Sequence, residues 1–105
     1  MANSIKRGAT PVNRFLVNVD LREATVYVTY DQCGRTVIEK TGSALVITEK
    51  SISVPLSQKD TLALKSGDNV DIQIRYVLPD GTADSSNILT ASVERVLKDG
   101  VITYV

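Results

Sequence analysis

Two acids share one short loop, Asp80-Gly81-Thr82-Ala83-Asp84, and a second pair, Asp68 and Asp71, flanks the start of an alternating segment. Carboxylates so spaced serve two chemistries, cation binding by oxygen-rich loops and acid–base hydrolysis of glycosidic bonds. Neither pattern is complete. The glycine offset and the missing distal glutamate do not fit a helix–loop–helix calcium site, and aspartates favour turns because they bond their own backbone. A paired-carboxylate glycosidase needs a cleft that a chain of 105 residues rarely supplies. There is no histidine, which removes the usual triads, the commonest metal ligand and the default general base near neutral pH. No serine stands three residues before a lysine, and Gly8, Gly34, Gly42, Gly67, Gly81 and Gly100 are scattered singly rather than grouped as a phosphate loop. The single cysteine, Cys33, excludes an internal disulfide framework and makes a zinc site unlike the known sets. It sits in Asp31-Gln32-Cys33-Gly34 and reads as an exposed thiol in a turn. No catalytic, metal or cofactor-binding residue is assigned, no cofactor is expected, and the chain is not expected to be an enzyme.

Sugar binding without catalysis asks for exposed aromatic platforms. Of Phe15, Tyr27, Tyr30, Tyr76 and Tyr104, alternation places three in the core and leaves Tyr27 and Tyr104 as surface rings. Twelve basic residues balance twelve acidic ones, so no net field favours a polyanion or an anionic membrane, and nucleic acid is not expected as a partner. No apolar run approaches the roughly 20 residues that span a bilayer. The opening MANSIKRGATP lacks the apolar core of a signal peptide, so the chain is expected to be made in the cytoplasm and to start there.

The elements that would carry these groups are short. Residues 1–11 are polar and unpatterned and are expected to form a flexible arm, with residues 12–105 as one domain. Strands are predicted over residues 14–19, 24–31, 35–41, 44–48, 51–56, 69–78, 87–97 and 101–105 from β-branched and aromatic alternation between turn signals. The longest alternation puts Val70, Ile72, Ile74, Tyr76 and Leu78 on one face and Asp71, Gln73 and Arg75 on the other. One interruption breaks the pattern. Ser57 followed by Asp60 matches a capping box, and Gly67 supplies a stop, so two turns of helix are predicted between strands. Seven or eight strands with turns every 8–12 residues predict an all-β, immunoglobulin-like antiparallel sandwich, with the short helix at an inter-sheet corner.

Beyond the periodicity, the stretches KRGATP, VYVTYDQ, VIEKTG, ISVPLSQKDTLALKSGDNVDIQIRY and DGTADSSNILTASVERVLKDGVI resemble small proteins from phages and prophages of Gram-positive bacteria. Those proteins occur among virion and tail genes and are similar to the N-terminal sandwich domains of the baseplate upper protein. The resemblance runs over residues 7–102 and is most specific in LSQKDTLAL, VDIQIRY and VERVLKDGVI. Ala9 stands where that family carries threonine, RFLVNVDL is less regular than its first strand, and Thr103-Tyr104-Val105 extends past its usual ending. The resemblance implies a non-enzymatic virion structural protein of the tail or baseplate, packing against copies of itself or other tail proteins and incorporated in the virion. The alternative is a carbohydrate- or cell-surface-binding sandwich module.

Overall fold

A computed structural model describes residues 3–105. The described residues form nine strands: β1 (Asn3–Lys6), β2 (Val12–Leu16), β3 (Thr25–Gln32), β4 (Arg35–Thr41), β5 (Val46–Ile47), β6 (Ser51–Pro55), β7 (Val70–Val77), β8 (Ala83–Ser85) and β9 (Leu89–Glu94). One helix, α1 (Gln58–Leu62), joins β6 to β7. The larger sheet runs β1-β9-β7-β3-β4 with β8 on the same side of β7 as β9, and the smaller runs β2-β6-β5. Two layers in this order make an immunoglobulin-like β-sandwich. Its facing surfaces bury Val26, Val28 and Tyr30 from β3, Val70, Ile72 and Ile74 from β7, and Ile52 and Val54 from β6. Each such side chain withdrawn from water contributes about 1.5–3 kcal/mol.

α1 makes the crossing between layers, from β6 in the smaller sheet to β7 in the larger. Ser57 Oγ accepts the Asp60 N–H at 3.0 Å, while Asp60 Oδ2 accepts the Ser57 N–H at 2.9 Å, completing the predicted capping box. Leu56 and Leu64 on either side of the helix are buried and close the end of the core.

Five expectations are corrected. Residues 3–6 of the expected arm are β1, because Ile5 is buried and pairs opposite Val93; Met1 and Ala2 lie outside the described residues. Arg7 then fastens the chain, its Nε donating to Leu64 O at 2.8 Å and its terminal nitrogen to Leu62 O at 2.9 Å. β1 runs parallel to β9, so the larger sheet is mixed rather than antiparallel. The first predicted strand begins earlier, at Val12, and stops at Leu16, although Phe15, Val17 and Val19 still pack on the core as the alternation implied. The strand predicted over residues 87–97 is the shorter β9, and a separate strand, β8, precedes it along β7. Ser86 causes the break: its Oγ takes the Ile74 N–H at 3.0 Å, where a ladder carbonyl would otherwise sit. Residues 101–105 form no strand and are exposed.

Candidate functional site: a groove between two free strand edges

The acids singled out in the sequence are engaged by near neighbours. Asp80 Oδ1 accepts the Thr82 N–H at 2.9 Å, and this backbone bond, with the Thr82 side chain, lowers the Asp80 pKa. Asp84 Oδ1 accepts the Ser85 N–H, and Asp71 Oδ1 accepts the Thr90 hydroxyl. Asp68 lies beside Cys33, whose Sγ is 3.6 Å from its Oδ2. Asp68 and Asp71 therefore face different partners and do not converge. Among the described residues no three acids or cysteines come together in a metal-holding group. Cys33 is exposed, as the turn implied, and has φ 53, the left-handed region usual for glycine.

The strongest electrostatic features are also local. Asp20 is drawn down to about 2 by the side-chain and backbone hydrogen bonds of Arg22. Burial opposes ionisation of Asp60, but the Lys40 ammonium at 2.8 Å and the Ser57 groups outweigh it and leave its pKa below the ordinary range. Burial raises the pKa of Tyr30, whose hydroxyl accepts from Asn13 Nδ2 at 2.7 Å. Of the two rings read as exposed, Tyr27 stands on the outer face of the larger sheet and Tyr104 in the C-terminal segment.

What the fold leaves open is one side of the sandwich. β1 ends the larger sheet and β2 ends the smaller, and neither carries a further strand on its outer edge among the described residues. Between them runs a groove of about 1030 Å³. It is lined by Ile5, Ile72 and Ile74 on one side and by Asn13 and Phe15 of β2, with Val17 just beyond, on the other. Val12, Leu16 and Leu89 line it while remaining 61%, 79% and 41% exposed. The alternation of β2 explains this: Phe15 faces inward while Val12 and Leu16, one position off that face, reach the rim. The linker over residues 7–11 passes from one edge to the other.

A second exposed apolar element lies beyond β9. Leu97, Val101, Ile102, Tyr104 and Val105 are exposed. The segment is tied to α1 by Gln58, whose Oε1 accepts the Ile102 N–H and whose Nε2 donates to Ile102 O, each at 2.9 Å. Sequence reasoning missed the β2 edge, Arg7 and Gln58. The apolar Val12 and Leu16 on the polar face of β2 were the available signal for the first; the other two depend on contacts more than forty positions apart.

No protein-family model matches the chain, and no curated protein matches it. Among solved structures it is similar to the V domain of amphioxus IgVJ-C2, with a TM-score of 0.34 and 10% identity over 86% of this chain and 97% of that one.

Proposed function

We propose that the chain is a non-enzymatic structural protein of a phage-type particle, associated with the tail or baseplate and acting by packing against other proteins. The observation that carries this reading is the open groove between the free edges of β1 and β2, rimmed by exposed Val12, Leu16 and Leu89. Unpaired edges are natural docking surfaces, because a neighbour's backbone satisfies their amides and carbonyls while alternate side chains enter the apolar channel. Three of the acids singled out in the sequence, Asp71, Asp80 and Asp84, accept hydrogen bonds from nearby amides or a hydroxyl, which suits a structural role. The balance of twelve basic and twelve acidic residues suits protein partners better than a polyanion. The family resemblance adds the particle context.

The test is compositional. Particles purified after prophage induction, stripped of loosely bound protein in high salt, should contain the chain at a fixed copy number by quantitative mass spectrometry. Its absence from them would sink the reading. Retention on a glycan array that is lost on Tyr27→Ala would instead favour surface binding.

A further inference from the structure

We infer that residues 97–105 of one chain add as a strand to the free edge of β2 in a second copy, seating their apolar side chains in that copy's groove. This rests on the assembly reading above and names the partner as the chain itself.

Three observations meet. The groove offers an unpaired strand edge beside an apolar floor. The same chain carries an apolar segment that stays more than half exposed: Val101 and Ile102 are 60% and 59% exposed, and Leu97 and Tyr104 89% and 101%. Gln58 already holds Ile102 by both backbone groups. In a strand the backbone groups of neighbouring residues point to opposite edges. With those of Ile102 bonded to Gln58, extension of the segment into a strand turns those of Val101 and Thr103 to the opposite edge, where a second strand edge can take them.

The segment does not enter its own groove. It leaves β9 beside Gly8, where Leu62 and Val96 flank the glycine, and is then drawn to α1. The size also suits a pair of chains. Four aliphatic side chains and one tyrosine withdraw roughly 400–700 Å² per segment. With a like area from the groove walls, two reciprocal exchanges bury on the order of 2,000 Å², the size of a stable interface. Reciprocal exchange closes as a two-fold dimer and leaves no end for a filament.

The experiment uses the full chain in sedimentation velocity and light scattering over a wide concentration range. The native chain should run at twice its 11.4 kDa mass. Tyr104→Asp in the segment and Leu16→Lys on the groove rim alter exposed residues, so each should keep the native circular dichroism spectrum. Each should also weaken dimerisation at least about tenfold. Mixed in equal amounts they should form a heterodimer, because one chain then supplies an intact segment and the other an intact groove. A native chain that stays monomeric overturns the inference. So does a dimer indifferent to either substitution, or a mixture that fails to pair. A monomer still found in purified particles would remove the self-exchange and leave the proposed function standing, whereas a dimer missing from particles would do the reverse.

Discussion

The Asn13 side-chain amide donates to the Tyr30 hydroxyl at 2.7 Å, joining β2 of the smaller sheet to β3 of the larger across the core. The many immunoglobulin domains that staple their layers with a disulfide do so between strands that here carry no cysteine. This bond is a polar tie between the two layers. Asn13→Ala leaves a buried hydroxyl without its partner and should cost about 1–3 kcal/mol in urea denaturation. Adding Tyr30→Phe to that variant should recover part of the loss, since no orphaned group then remains.

Asp60 couples the helix cap to β4 through Lys40. Its folded pKa lies below 3.8, the value assigned to the free side chain. The carboxylate's contribution is therefore complete above that value and is lost as pH falls through the lowered pKa. The urea midpoint should decline in acid below about pH 4, and Asp60→Asn should flatten that decline. Ser57→Ala, which removes the reciprocal half of the cap, should cost about 1 kcal/mol at neutral pH.

Neighbouring positions on β7 separate the two faces of the larger sheet. Ile72 is buried and Ile72→Asp should cost more than about 3 kcal/mol, because it places an unpaired charge in the core. Gln73 lies on the outer face, where periodicity alone implies a near-neutral Gln73→Asp. Its Nε2, however, donates to Ser86 O at 3.0 Å and helps hold the break between β8 and β9. The expected cost is about 0.5–1.5 kcal/mol, read from the same denaturation curves.

Arg7 ties the end of β1 to the carbonyls closing α1. Arg7→Ala should cost about 1.5–3 kcal/mol, as for hydrogen bonds from a charged donor. The amide of Ile5 should exchange with deuterium faster in this variant, while that of Val28 in the central strand should change only as far as global stability does.

Elements whose signals lie within a dozen residues were legible in the sequence. β3, β4 and β7 follow from β-branched alternation, and the Ser57–Asp60 cap from its spacing. The crossing between layers could be placed because a helix interrupted two strand patterns. β1 was not legible: four residues with one apolar side chain, Ile5, become a strand only because β9 arrives beside them. Ser86 was equally silent, since its hydroxyl acts on Ile74 twelve positions away. The groove escaped for a related reason. An unpaired edge is a property of sheet order, and order is decided by long-range pairing that alternation does not encode.

The parallel seam of β1 on β9 sets an order of events during synthesis. Asn3 lies opposite Ala91, and its carbonyl accepts from the Ser92 hydroxyl, 89 positions later. At about 5–20 residues per second, a nascent chain waits several seconds with its beginning unpartnered before the ribosome delivers the stretch that receives it. The seam is thus the last piece of the larger sheet to close, and a chain cut short before Leu89 would leave its opening residues without their partner strand and open to proteases.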